Sequence, residues 1–349
     1  MEKTIRVWVT GCSGFVGSWV TKKFVDDPRF YVKGTTRSGK EQTKIDELNS
    51  VFGTDNFELV YADLLDEATL ISAFEGCEYV VHVATKVSVD KPKDENEVLG
   101  PAVEGTEKVI NACYHNNVKR LILTSSASWV LDWEKEGDSV NESNYTEIDK
   151  NTPLYDRSKI LAERKAWEMT KNPPDGKKLE LVVIIPSMVM GSLLLNHEAG
   201  STYFGRLLMT GKLFRAPEVY FPYVDVQDVA NAHLLAVDCR KNERFCVVEG
   251  TYSVLDLGKA LSSEFRKYGY KCTNKPMGRC VAKSIAVFSS DMKFFIKYWG
   301  IKKTINNEKS IKFLKMKEYK PMNESIVEMG WSMIELGIVP NKTIDSKKE

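Results

Sequence analysis

The chain has 349 residues, with 49 lysines and arginines against 48 aspartates and glutamates and a net charge of +1. So even a balance gives no global field for nucleic acid or an anionic membrane, and neither is expected as a partner. Hydrophobic residues at 43% and charged residues at 28% fit an ordinary folded chain with a sizeable core, and exclude wholesale disorder or a collagen-like repeat.

Seven cysteines (Cys12, Cys77, Cys113, Cys239, Cys246, Cys272 and Cys280) form no CxxC pair. Scattered and odd in number, they read as reduced thiols of a cytoplasmic protein rather than a disulfide framework. The chain reads as strand from Thr4 to Val9, so no secretory leader is expected. The most apolar stretch, Leu181 to Leu195, is interrupted by Pro186 and Gly191 and is too short for a transmembrane helix.

After the first strand, Thr4 to Val9, comes Thr10-Gly11-Cys12-Ser13-Gly14-Phe15-Val16-Gly17, leading into a helix marked by Val16, Trp19, Val20 and Phe24. In this strand, loop and helix order, Gly11 permits a tight turn, Gly14 lets the backbone approach a pyrophosphate, and Gly17 lets helix and strand pack closely. Cys12 either fills space in that loop or, at the positive end of the helix, carries an oxidisable thiolate. The second strand, Tyr31 to Thr36, ends at Arg37-Ser38 with no carboxylate. An acidic residue there suits a ribose 2′-hydroxyl and an arginine a 2′-phosphate, so Arg37, helped by Lys44 and Ser38, points to NADP(H) rather than NAD.

A third strand, Phe57 to Tyr61, precedes Asp63-Leu64. Asp63 either accepts from an adenine amino group or caps the helix that contains Ala68 and Leu70. The fourth strand, Tyr79 to Val83, ends in Val83-Ala84-Thr85, small residues that leave room for a cofactor across the sheet edge. A helix bearing Thr106, Val109, Ile110 and Cys113 leads to a fifth strand, Arg120 to Thr124, and then to Ser125-Ser126. Ser126 is the better placed to polarise a carbonyl, and Ser125 is expected to satisfy local backbone groups.

Tyr155-Asp156-Arg157-Ser158-Lys159 puts a phenol and an ammonium one helical turn apart on one face. A lysine beside a tyrosine favours phenolate, so Tyr155 can serve as a proton donor while Lys159 tunes it and holds a ribose. The four histidines, His82, His115, His197 and His233, are far apart in sequence, and no metal site or hydrolase triad is expected.

A further strand, Leu181 to Ile185, completes an alternation of strands and helices that defines an α/β fold with a doubly wound parallel sheet. The dinucleotide-binding domain is expected to occupy residues 1–190, with 223–250 returning to it. A smaller, mainly helical lobe of residues 191–222 and 251–349 would carry the substrate. Trp129, Met188, Met190, Tyr203, Phe204, Met209, Phe214 and Tyr223 are candidates for an apolar substrate pocket, or else core.

TGCSGFVG, Arg37, Asp63-Leu64, TSSA and YDRSK, in this order, resemble the extended short-chain dehydrogenase/reductase superfamily, of the NAD-dependent epimerase/dehydratase type. The closer likeness is to dihydroflavonol-reductase-like carbonyl reductases, supported by Ala62 to Thr85, PAVEGT at 101–106, PSMVMG at 186–191 and VDVQDVANAH at 224–233. The resemblance implies Ser126, Tyr155 and Lys159 as catalytic residues. It implies cofactor contacts from Gly11, Ser13, Gly14, Phe15, Val16, Gly17, Arg37, Asp63, Leu64, Val83, Ala84 and Thr85, and from Pro186 and Val189.

Two departures shape the expected substrate. Sugar-nucleotide members carry Tyr-Gly after the serine, whereas this chain has Ala127-Ser128-Trp129-Val130-Leu131, which argues against a sugar. Leu131 stands where flavonoid reductases carry a polar residue, which argues against a hydroxylated flavonoid. The expected activity is NADPH-dependent reduction of an aldehyde or ketone of a small, fairly apolar molecule, by a monomer or homodimer. A hydroxysteroid-type or other alcohol dehydrogenase working oxidatively uses the same trio, and a non-catalytic NADP sensor would have no chemical need of it.

Overall fold

The structure is a computed structural model that describes residues 4–36, 42–85, 94–135, 137–150, 152–198, 200–240, 242–287 and 289–343. Arg37 and Ser38 therefore lie outside the described residues. The first half alternates strand and helix: β1 (Ile5–Thr10), α1 (Phe15–Val25), β2 (Phe30–Thr36), α2 (Gln42–Phe52), β3 (Phe57–Tyr61), α3 (Glu67–Ala73), β4 (Tyr79–His82), α4 (Asn96–His115) and β5 (Arg120–Thr124). Then come β6 (Ser139–Val140), α5 (Leu154–Lys171), β7 (Glu180–Pro186), β8 (Met188–Met190), α6 (Ser201–Thr210), β9 (Tyr220–Asp225), α7 (Val226–Leu235) and β10 (Glu243–Val247). The chain closes with β11 (Gly250–Ser253), α8 (Val254–Phe265), α9 (Arg279–Ala286), α10 (Ser290–Lys297), β12 (Thr304–Ile305), α11 (Glu308–Phe313) and α12 (Met322–Glu335).

Seven parallel strands form one sheet in the order β10-β7-β5-β4-β1-β2-β3. A parallel sheet needs crossover connections, and these cover both of its faces with helices. The strands accordingly alternate between two cores. Val7 and Val9 of β1 pack with Val20 and Phe24 of α1 and Val229 of α7, while Trp8 packs with Phe74, Val109 and Ile110 on the other face. The strand order reverses between β1 and β4, so the crevice for a ligand opens beyond their carboxyl ends.

The remaining elements build a second layer above those ends. β8, β9 and β11 form a small mixed sheet, so the expected helical lobe also contains strands. β9 pairs only within this small sheet, and the chain rejoins the large one through α7, packed on α1, and β10, paired with β7. Leu257, Leu261, Phe265, Ile326, Met329 and Met333 form the centre of the lobe. Met190, Met209 and Tyr223, expected as pocket candidates, are fully buried in that core, and Trp129 is buried against the large sheet's helices. Leu131 is buried there too. Tyr203 and Phe214 remain exposed, at 44% and 57%.

β10 is an edge strand tied to the interior by charge. Arg244 donates through Nε to Glu163 of α5 at 2.7 Å and through Nη1 to the Glu142 carbonyl at 2.8 Å, with Arg244 and Glu163 8% and 1% exposed in their side chains. Removing one partner of such a pair leaves an uncompensated buried charge. Arg244→Leu is therefore expected to lower unfolding free energy by about 3–5 kcal/mol, read from urea denaturation, with Glu163→Gln in the same background recovering part of the loss.

Candidate active site

The glycine-rich turn is shaped by what lies behind it. Gly11 has φ +71°, a conformation that L side chains rarely adopt, and an added Cβ would meet Ala84 at 3.0 Å. At Gly17 a Cβ would fall 2.0 Å from the Gly11 carbonyl oxygen, so the first turn of α1 can approach the loop only without a side chain. The Gly11 N–H donates to the Thr35 hydroxyl at 3.1 Å, and the Gly14 N–H to the Gly11 carbonyl at 3.0 Å. Cys12 is fully buried; its thiol donates to the Thr35 carbonyl at 3.2 Å, and burial pushes it up to about 12. Lost hydration thus favours the neutral, space-filling thiol of the two readings considered for the loop. Phe15 turns away from the loop and packs in the lobe core, and Val16 lies partly buried at the same junction. Ser13 and Gly14 are partly exposed on the turn.

Two buried histidines hold the strand ends. The Thr10 hydroxyl accepts from the N–H groups of Val83 and Ala84, both at 3.1 Å, so its one proton goes to His82 Nδ1 at 2.8 Å. His82 is therefore a neutral Nε2–H imidazole, and burial, reinforced by Lys159, lowers it to about 3. His233 Nδ1 lies 2.8 Å from the Val229 carbonyl and must donate to it, leaving Nε2 to accept from Thr124 at 2.7 Å. Burial lowers this imidazole to about 4.

Beyond these ends lies a cavity lined by Leu64, Ala84, Thr85, Pro101, Ser125 and Lys159, among others. It gathers Leu64, Ala84, Thr85 and Lys159, all expected to contact a cofactor. Asp63 stands just outside and accepts the Leu65 N–H at 2.9 Å, while the cap of α3 is Asp66, bonded to the Ala68 N–H at 3.1 Å. Of the two roles considered for Asp63, the capping one belongs to Asp66. Lys44, in the first turn of α2, pairs with Glu47 at 2.6 Å. Pro186 ends β7 beside Val247, and Val189 in β8 pairs with Val224 of β9.

Lys159 is 8% exposed and donates to the Thr124 carbonyl at 3.4 Å. Lost hydration lowers its ammonium to about 8, opposed by Glu163 one turn further along α5. Glu163 also accepts the Ser125 hydroxyl and the Trp167 indole N–H, the latter at 3.0 Å. Ser125 therefore bonds a buried carboxylate, not the local backbone as expected. Glu163 was not singled out in the sequence, although its i, i+4 spacing from Lys159 is a readable signal.

Tyr155, in the first turn of α5, is 43% exposed. The protein still raises its phenol, through lost hydration first and Asp156 second, with Ser126 opposing them. The lowering expected from Lys159 is absent in the chain alone, where that ammonium donates to Thr124. Ser126 Oγ lies 3.0 Å from Ser128 Oγ, and Ser128 donates to Asp156 at 2.5 Å. Neither Ser128 nor Asp156 was assigned from sequence, although Ser128 directly follows TSSA and Asp156 lies within YDRSK. Among the described residues no three His, Cys, Asp or Glu side chains cluster as metal ligands, and no helix is long and apolar enough to cross a membrane.

The parallel sheet, the glycine-rich first turn and the strand-end crevice are those of an extended short-chain dehydrogenase/reductase. Residues 8–262 match the 3-beta hydroxysteroid dehydrogenase/isomerase family, to which the chain belongs. Cinnamoyl-CoA reductase 1 of Oryza sativa subsp. japonica is 31% identical over 307 residues, covering 86% of this chain and 88% of its own. Dihydroflavonol 4-reductase of Solanum lycopersicum is 30% identical over 309 residues, covering 85% and 79%. The yeast methylglyoxal/isovaleraldehyde reductase Gre2, solved with NADPH, superposes with a TM-score of 0.77 at 24% identity over 95% of this chain and 99% of its own.

The depressed Lys159 has a consequence for stability. Between about 8 and the ordinary 10.5 the unfolded chain holds more protons at this site than the folded one, so the cost of burying the ammonium is full below about pH 8 and fades as pH rises to 10.5. Lys159→Met is expected to unfold at higher urea than wild type at neutral pH, with the difference shrinking steadily above about pH 8, measured at matched ionic strength.

Proposed function

We propose that the chain is an NADPH-dependent reductase that converts an aldehyde or ketone of a small, fairly apolar molecule to the alcohol. The observation that carries this is Lys159 buried against the Thr124 carbonyl at the carboxyl end of β5, with Ser126 two residues beyond that strand end and Tyr155 one turn earlier on the same helix. Their similarity in order and spacing to the superfamily's catalytic trio supports this division of roles, as do the activities of the reductases to which the chain is similar.

The residues present fit a dinucleotide. Gly11, Gly14 and Gly17 leave the loop backbone open to a pyrophosphate at the start of α1. The Ser187 hydroxyl, at the end of β7, is buried without a hydrogen-bond partner, as a group reserved for a polar ligand would be. Arg37 and Lys44 would hold the 2′-phosphate, Leu64, Ala84 and Thr85 the wall beside it, and Lys159 the ribose. When bound, NADPH supplies the hydride.

The protein's share of the chemistry is to place and charge the oxygen. Ser126 orients the carbonyl oxygen, and Tyr155 donates its phenolic proton to that oxygen as negative charge develops. Lys159 is the only one of the three held fully inside, so its ammonium acts in a low-dielectric setting where a single charge has long reach. A phenol raised in the free chain stays protonated until charge develops beside it, which suits a donor in the reductive direction.

Two measurements test the proposal. NADPH consumption should be found with at least one compound in a panel of aliphatic and aromatic aldehydes, diketones and steroids. With that compound Tyr155→Phe should lower kcat by about 100-fold or more while NADPH affinity, followed by fluorescence, changes little. Full activity in Tyr155→Phe would remove the assignment. Arg37→Asp should shift the preference from NADPH toward NADH by at least about tenfold, since a carboxylate repels the 2′-phosphate and accepts from a 2′-hydroxyl.

A further inference from the structure

Ser126 is more than a lone hydroxyl beside a phenol. It accepts the Ser128 N–H at 3.3 Å as the cap of the short 3-10 turn Ala127–Trp129. Ser128 Oγ then lies between Ser126 Oγ at 3.0 Å and Asp156 Oδ1 at 2.5 Å. Each serine has one proton to give. When no substrate oxygen takes the Ser126 proton and Asp156 is ionised, Ser128 gives its proton to the carboxylate and Ser126 gives its own to Ser128, leaving Ser126 to accept from Tyr155. The hydroxyl dipoles then run from Ser126 to Asp156, and Ser126 is also the hydroxyl that acts on the Tyr155 phenol.

We propose that Ser126, Ser128 and Asp156 form a proton relay that reloads the Tyr155 phenol after each turnover, with Asp156 as its proton-holding and positioning residue. The relay rests on the reading of Tyr155 as the proton donor. Its steps balance. Tyr155 loses its O–H proton to the substrate oxygen, and Asp156 takes a proton from water. The two serine hydroxyls turn toward the phenolate, and then Asp156 gives its proton to Ser128, Ser128 gives its own to Ser126, and Ser126 gives its own to the phenolate. One solvent proton is consumed per carbonyl reduced, and no electrons move along the relay.

Asp156 is suited to both ends of that task. It is half-buried, so it touches solvent as well as Ser128. Lost hydration raises its carboxyl above the ordinary value, while Ser128 pulls it down. The charged neighbours are otherwise engaged: Arg157 pairs with Glu95 at 2.7 Å, and Lys159 faces Thr124 and Glu163. Tyr155 in turn feels the Asp156 charge, which raises its phenol.

The test compares kcat as a function of pH for wild type, Asp156→Asn, Ser128→Ala, the double variant and Tyr155→Phe, with a carbonyl substrate that wild type reduces. Wild-type kcat should fall as pH climbs through the Asp156 ionisation, because only the protonated carboxyl reloads the phenol. Asp156→Asn and Ser128→Ala should each lose about tenfold in kcat and lose that ionisation, with KM and NADPH affinity within about twofold of wild type. The double variant should be no slower than either single one, and Asp156→Glu should restore the ionisation at a shifted pH. If both single variants keep the wild-type kcat and profile while Tyr155→Phe is inactive, the relay is overturned and the proton donor stands. If Tyr155→Phe is fully active, or wild type reduces no carbonyl compound, the reading of the site fails and the relay falls with it.

Discussion

Glu163 is the group on which the geometry of the crevice depends. Its side chain is 1% exposed, and its carboxylate binds Arg244 from β10, Ser125 from the end of β5 and Trp167 from its own helix. A buried carboxylate is costly unless its lone pairs are filled, so these partners are held in fixed positions relative to one another. Through them α5 is set against the sheet edge, and Lys159 and Tyr155, earlier on the same helix, are set with it. The charge also opposes the drop in the Lys159 pKa that burial imposes. One interaction therefore governs both where the ammonium sits and how readily it holds its proton.

The carboxyl ends of β1, β4 and β5 meet two opposing demands. A ligand crevice needs polar groups there, yet a parallel sheet covered on both faces leaves little water to satisfy them. Thr10 with His82 and Thr124 with His233 resolve this by pairing a hydroxyl with a neutral imidazole. Each threonine also acts beyond its histidine, Thr10 on two N–H groups of the chain leaving β4 and Thr124 on Lys159 through its carbonyl. Neutral imidazoles add no charge to the crevice, so Lys159 remains its buried cation.

Much of this was legible in the sequence. Runs rich in Val, Ile, Leu and aromatic residues mark the strands: β3 and β5 occur with the expected bounds, β2 and β4 differ by a residue at one end, and β1 and β7 by a residue at both. Tight turns demand glycine, which made the first loop readable. What escaped were roles set by partners distant in the chain. Ser125 looks like a local backbone cap until Glu163 is brought to it, and Asp63 cannot be told from Asp66 as a cap without the geometry of the turn. The two readings of Cys12, space filler or thiolate, could not be separated because the helix end is visible in sequence and the depth of burial is not. The lobe was least legible: its apolar residues carry no period that separates a pocket from a core, and Met190, Met209 and Tyr223 turned out to be core.

Phe15 belongs to two structures at once. Its backbone opens α1 at the glycine-rich turn, while its ring joins the core of the upper lobe beside Val226 and Met190. Trp19, one turn later, repeats the arrangement by donating to the Ser192 carbonyl at 2.6 Å. The lobe is therefore no interchangeable cap on a generic base. A chimera that transplants the lobe of a related reductase must bring a socket for Phe15 and a carbonyl for Trp19, or the loop loses its footing when the substrate pocket is exchanged. Redesign of specificity in this scaffold is thus constrained from beneath, by two aromatic side chains of the helix that opens at the glycine-rich turn.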